Sequence, residues 1–138
     1  MTSKAWRIPV IVSCVGLSLS THAAPGFKVV AHPAVSTRTL TRAALAQAFM
    51  KKSVRWPDGS AMVPVDLPVG SATREAFSRG VHGKGGAAVD AYWQKQIFTG
   101  RELPPLTKAS DSEVLAYVRS NAGAIGYVSS DAETGGVR

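Results

Sequence analysis

Cysteine is almost missing from this 138-residue chain: Cys14 stands alone. Without a second thiol there is no intrachain disulfide and no cysteine-built metal cage, so packing alone must hold the fold together. Histidine is scarce too, with three residues and no His-x-x-x-His spacing, and paired catalytic carboxylates are absent. No motif for a metal or an organic cofactor is present. Beyond Leu19 no apolar run is long enough to cross a bilayer, so no stable membrane span is expected after processing. Acidic residues number nine against sixteen basic ones. The basic residues are dispersed, densest at Lys51, Lys52 and Arg55, and do not alternate with aromatics. That pattern excludes a nucleic-acid surface and leaves a mildly anion-attracting one.

The first 23 residues read as a secretory signal peptide. Lys4 and Arg7 form a basic start, Ile8 to Leu19 is apolar, and Thr21-His22-Ala23 places small residues at the −3 and −1 positions of a cleavage site. A lipoprotein reading with Cys14 as the lipidated residue is weaker, because few apolar residues precede it. The expected mature chain, 24–138, carries fourteen basic and nine acidic residues, a net +5. It is a periplasmic or secreted protein with room for one small domain, its ordered core spanning about residues 27–129.

Taken in order, the mature chain opens with a β-prone run, Phe27 to Ala31, closed by His32-Pro33. Thr41 caps a helix with Ala44, Leu45, Ala48 and Phe49 on its buried face, stapled by Leu40 and Leu45 and ending near Lys51 or Lys52. Pro57-Asp58-Gly59 marks a turn, with Trp56 covering the core edge. Val63, Val65 and Leu67 form a strand that Pro64 is expected to push to an edge. A helix from Ser71 turns Ala72, Ala76, Phe77 and Val81 inward and ends near Gly80 or Gly83. Val89, Tyr92, Trp93 and Ile97 make the next helix the most amphipathic of all. Thr99 to Thr107 reads as an irregular connection. Ser110 and Glu113 form a capping box, with Val114, Leu115 and Val118 behind it. Gly123 stops that helix, and Ala124 to Val128 is the last strand. Ser129 to Arg138 is polar, Gly-rich and expected to fray. Strands separated by helices require crossovers, so an α/β fold is predicted: a small mixed sheet, partly parallel, with helices packed on it.

The stretch with chemical potential is Val65 to Phe77. A strand empties into a Pro/Gly turn and a helix opens at Ser71, gathering free amides, the hydroxyls of Ser71 and Thr73, and the charge of Arg74. A helix N-terminus carries roughly half a positive charge and unpaired donors, which suits an anion. Ser71 is also an ordinary N-cap, worth about 1 kcal/mol with no ligand at all.

Four places carry a likeness to a known family. Leu40 to Leu45, running on to Phe49 and Arg55-Trp56, is similar to its helix and "Gly-Lys-Ile-x-x-Trp" turn. Gly70-Ser71-Ala72-Thr73-Arg74-Glu75-Ala76-Phe77 is similar to its Gly-Ser-Gly-Thr loop. Trp93 with Phe98 precedes a loop, and Asn121 to Val128 is similar to its "x-Gly-Ala-Ile-Gly-Tyr-Val" strand. From Phe27 to about Ser129 the chain thus resembles one lobe of the phosphate-binding proteins of ABC transporters, in the type II periplasmic-binding-protein superfamily. The resemblance implies a solute-binding-like protein of phosphate uptake or sensing. It implies that Gly70, Ser71, Ala72 and Thr73 contact phosphate or a related oxyanion, with Arg74 beside them. Two departures stand out: Leu67 occupies the family's usual arginine position, and Ala72 replaces a glycine. The chain has length for one lobe only, which leaves room for a second subunit or an envelope protein to complete the cleft. A ligand-free protein-interaction module that keeps the fold is the alternative. Catalysis is not expected, since a triad drawn from Ser71, His82 and Asp66 needs only three common residue types in a short stretch.

Overall fold

The structure, a computed structural model, describes residues 26–138; the signal-peptide expectation lies outside them. Four strands and four helices follow one another in the chain. They are β1 (Phe27–Ala31), α1 (Arg42–Phe49), β2 (Val63–Asp66), α2 (Ala72–Phe77), α3 (Gly86–Phe98), β3 (Leu106–Thr107), α4 (Asp111–Ser120) and β4 (Ala124–Ser129). A π-helical turn, Ser78–His82, continues α2. The sheet order is β1-β4-β2-β3. β1 runs antiparallel to β4, whereas β2 is parallel to both β4 and β3. The expected mixed α/β sheet is therefore present.

Local chemistry sets the helix starts. Thr41 Oγ1 accepts from the Ala44 amide at 3.1 Å, and Ser110 Oγ accepts from the Glu113 amide at 3.3 Å. Glu113 reaches back to the Ala109 amide at 2.8 Å, one residue earlier than in a standard capping box. Gly123 adopts φ +82°, and its carbonyl accepts from Val63 N–H and from the Trp56 indole, each at 3.0 Å. Trp56 is buried, with its ring over the core edge and its one polar atom satisfied.

β4 is the central strand, and Ala124 to Val128 are all buried. Its two faces differ. On one, the Tyr127 ring stacks on Phe77, 3.9 Å between centroids and 4° from parallel, with Phe49 and Phe27 set edge-on or tilted around the pair. Each such ring contributes about 1.5–3 kcal/mol by leaving water. On the other face α4 lies directly over Gly126, where a Cβ would come within 2.8 Å of Val114 Cγ1. Gly126 is thus the residue that lets α4 close on the sheet.

Several expectations need correction. β2 is interior despite Pro64. Val63 donates to Gly123 on the β4 side, so alternation turns the Pro64 nitrogen toward β3, which starts pairing only opposite Val65. The missing N–H therefore costs no ladder bond. The stretch read as irregular contains β3, two residues long and bounded by Pro104-Pro105. In α3 only part of the apolar stripe is covered: Val89 and Trp93 are buried, Tyr92 is half-buried and Ile97 is exposed. Ala72 is also exposed, because it opens the first turn of α2 ahead of the packed face. The C-terminal residues do not fray. Arg138 exchanges backbone bonds with Ala31 at 2.6 and 2.8 Å and donates from Nη1 to Val35 O at 2.7 Å. His82 is half-buried inside the π-helical turn, edge-on to Phe77 at 5.6 Å.

Two outcomes follow from this packing. Gly126→Ala should lower stability in urea by about 1–3 kcal/mol, the range for overpacking, and adding Val114→Ala should recover part of the loss. Burial, then Lys84 and Arg74, holds the His82 pKa below its usual value. The folded state therefore favours the neutral ring. Its contribution is present above the unfolded pKa, near 6.5, and is lost as pH falls through the lower folded value. Urea titrations at pH 7 and pH 5 should show that loss in the parent chain and a smaller one in His82→Gln.

Candidate functional site

β2 delivers the chain to the start of α2. After Leu67 and Pro68, Gly70 turns at φ +89°. Ser71 follows as the N-cap, with its amide donating to Pro68 O at 3.1 Å and its Oγ accepting from the Arg74 amide at 3.2 Å. The Glu75 amide donates to Ser71 O at 3.0 Å. Among the described residues, the amides of Ala72 and Thr73 and the Thr73 hydroxyl have no protein partner. Ala72 borders a hollow of about 460 Å³ lined also by Gly70, Ser71, Arg74, Glu75 and Asp90; Thr73 is not among its lining residues.

Arg74 faces inward, which settles the helix phase that the sequence left open. Its side chain is only 8% exposed. Nη1 donates to Leu67 O at 2.9 Å, and Nη2 donates to Asp90 Oδ1 at 2.7 Å with Asp66 Oδ2 at 3.8 Å. Nε is buried and has no partner among the described residues. The guanidinium thus rests against the backbone of Leu67, the very position where the resembled family roots its arginine.

Asp66, at the end of β2, closes the cluster from below. It accepts from the Tyr127 hydroxyl and, at 2.9 Å, from the Leu67 amide. Burial raises the Asp66 pKa and outweighs Arg74, which acts in the opposite direction. Burial and the neighbouring Asp66 push the Tyr127 hydroxyl far up, so it stays protonated and serves as a donor. One guanidinium and two carboxylates thereby tie β2, β4, α2 and α3 together. A second hollow of about 240 Å³ lies on the other side of Arg74 and Asp90, walled by Trp93, Ile97, Pro104 and Pro105.

The neighbouring helix start is already filled. Glu75 Oε2 accepts from the Gly86 amide at 2.7 Å, and Oε1 accepts from Arg79 Nε at 2.8 Å. A Cβ on residue 86 would lie 2.6 Å from that carboxylate, so a larger residue would force the end of the Glu75 side chain to shift.

Of the five residues expected at the site, Gly70, Ser71, Ala72 and Arg74 line the hollow and Thr73 does not, with the Arg74 guanidinium turned inward. Ser71, His82 and Asp66 make no bonds to one another; their partners are the Arg74 amide, the Phe77 ring and Tyr127. The sequence reading did not find Asp90 or Glu75. Asp90 lies sixteen residues from Arg74 on another helix, and no local pattern links them. Asp66 did carry a signal, as the only charged residue in the run Met62 to Leu67. Among the described residues no cluster of His, Cys, Asp and Glu could hold a metal ion, and no helix is long and apolar enough to cross a membrane.

No protein-family model matches the chain, and no curated protein does. Solved structures do. An ABC-type phosphate transport receptor from Vibrio cholerae superposes with a TM-score of 0.63 at 20% identity, over 82% of this chain and 44% of that one. A Clostridium perfringens protein assigned as a phosphate ABC transporter substrate-binding protein, with phosphate bound, gives 0.59 at 23% identity over 81% and 42%. A possible phosphate-binding protein from Planctomyces limnophilus gives 0.56 at 18% over 76% and 36%. The chain thus spans less than half the length of each of these three. At such identities the likeness is one of fold, and it is partial: the chain has the α/β fold of one lobe of a type II periplasmic binding protein.

Proposed function

We propose that this chain is an exported, non-enzymatic, solute-binding-like protein of phosphate uptake or sensing that binds phosphate or a related oxyanion at Gly70, Ser71, Ala72 and Thr73. The observation carrying this reading is the open amide of Ala72 on a hollow that Gly70, Ser71 and Arg74 also line, with the open amide of Thr73 next to it in the chain. Backbone and hydroxyl donors at a helix start hold a tetrahedral oxyanion without a metal. The likeness of the fold to proteins described as phosphate-binding supports the same ligand class.

Arg74 acts here from the inner layer. Its two carbonyl- and carboxylate-bound nitrogens fix the turn at Leu67 against α3, and its charge lies behind the anion rather than beside it. With Asp66 and Asp90 close by, much of that charge is offset. The described residues supply one wall, and against that wall alone a bound anion stays in contact with water and each ionic contact is weak. A second wall contributed by a partner would raise the affinity.

Calorimetric titration of the processed chain with phosphate should show saturable binding with a Kd on the order of 0.1–1 mM, or about 4–5 kcal/mol. Ser71→Ala with Thr73→Val should weaken it at least about tenfold, the equivalent of 1.4 kcal/mol, while circular dichroism stays unchanged. Flat titrations with both phosphate and sulfate, or binding unaffected by the double substitution, would overturn the assignment. Arg74→Gln, which strands Asp66 and Asp90, should lower urea stability by about 3 kcal/mol, and Asp90→Asn should restore part of that loss in the double variant.

A further inference from the structure

Seven large apolar side chains stand exposed on the described surface, and one corner gathers Ile97 with Val69 in one hollow and with Leu103 and Arg101 in another, Phe98 adjoining Ile97 in the chain. Ile97 and Phe98 end α3, Leu103 lies on the connection that follows, and Leu106 opens β3. Val69 joins them across the hollow that Ile97, Pro104 and Pro105 also line. Phe98 is 92% exposed, Val69 67% and Leu103 65%. The placement is fixed by local structure. Thr99 caps α3, its hydroxyl bonding Lys95 O at 2.8 Å, and Gly100 turns the chain at φ +66°. Phe98 is therefore held outward at the end of a helix rather than folded into a groove.

The same corner is basic. Lys95 and Arg101 are exposed and pair with no carboxylate among the described residues. The nearest acid, Glu102, is engaged by Lys51 at 3.3 Å. This charge selects the occupant. In a symmetric dimer each copy would bring its own Lys95 and Arg101 to the shared face, setting like charges together. Addition of a peptide strand is also disfavoured, because β3 offers only two residues of edge. A flat anionic surface that accepts protruding apolar side chains satisfies both the charge and the shape.

The geometry points to docking of this corner on an anionic bilayer surface, with Phe98 and Leu103 entering the headgroup boundary and Lys95 and Arg101 resting on lipid phosphates. Interfacial binding of this kind scales with buried apolar area plus attraction to anionic lipid. It is peripheral and reversible, and independent of whether the hollow at Gly70 to Thr73 holds an anion.

The test is flotation of the chain as recovered from an exporting host, its N-terminus read by mass spectrometry, with two kinds of vesicle. One is phosphatidylcholine alone, and the other is roughly three parts phosphatidylcholine to one of phosphatidylglycerol. Binding to the anionic vesicles is expected to exceed that to the neutral ones at least about tenfold and to fall as salt rises. Phe98→Ser with Leu103→Ser, and separately Lys95→Glu with Arg101→Glu, should each abolish the excess while circular dichroism stays unchanged. These side chains are exposed, so the comparison does not depend on rescuing a damaged core. Equal binding to both vesicles, or binding unchanged in either double variant, would overturn the proposal. So would a dimer in gel filtration that Phe98→Ser with Leu103→Ser dissociates, since a second copy would then be the occupant.

Discussion

The buried guanidinium of Arg74 is the constraint on which the region around the candidate site depends. It reaches the backbone of Leu67 after β2 and the carboxylate of Asp90 on α3, beside an Asp66 that is itself held by Tyr127 of the central strand. A charge taken so far from water is costly unless it is paired, and removing one member of such a group leaves the others stranded. The cluster therefore acts as a geometric lock more than as a source of net stability. It sets where β2 ends, how α2 leaves it and how close α3 approaches. The aromatic stack of Phe77 on Tyr127 lies on the same strand and helix, so apolar packing and ion pairing fix the same arrangement.

Much of the fold was legible because it rests on local rules. Thr41, Ser71 and Ser110 each precede a helix and each cap one; α4 itself ends at an extended Asn121, and the left-handed Gly123 turns the chain just before β4. The errors arose where tertiary context decides. Whether Pro64 sits at an edge depends on which side of β2 lacks a neighbour at that residue. Whether Ile97 is core depends on whether another layer covers α3, and none does at its end. The docking of Arg138 on Ala31 spans more than a hundred residues, and no local pattern encodes it.

The site divides along the same line. Gly70 to Thr73 could be read directly, since a turn glycine followed by a hydroxyl cap is a contiguous signal. The direction of Arg74 could not, because α2 is too short for a periodic apolar stripe to mark its inner face. Neither could its partners, which come from a different strand and a different helix. Leu67 at the family's arginine position read as a loss. In three dimensions Arg74, seven residues later, returns its guanidinium to the Leu67 backbone, with Asp66 and Asp90 beside it.

Glu75 has a consequence for what the hollow can hold. Its carboxylate, anchored by Arg79, sits on the first amide of α3 and behaves as a ligand tethered to its own receptor. Tethering gives such a group an effective concentration on the order of millimolar or more. A free anion present below that level competes poorly for the α3 position, and the hollow offers it the start of α2 alone. The two helix starts that border the hollow are therefore not equivalent: the first amide of α3 is occupied by the protein's own carboxylate.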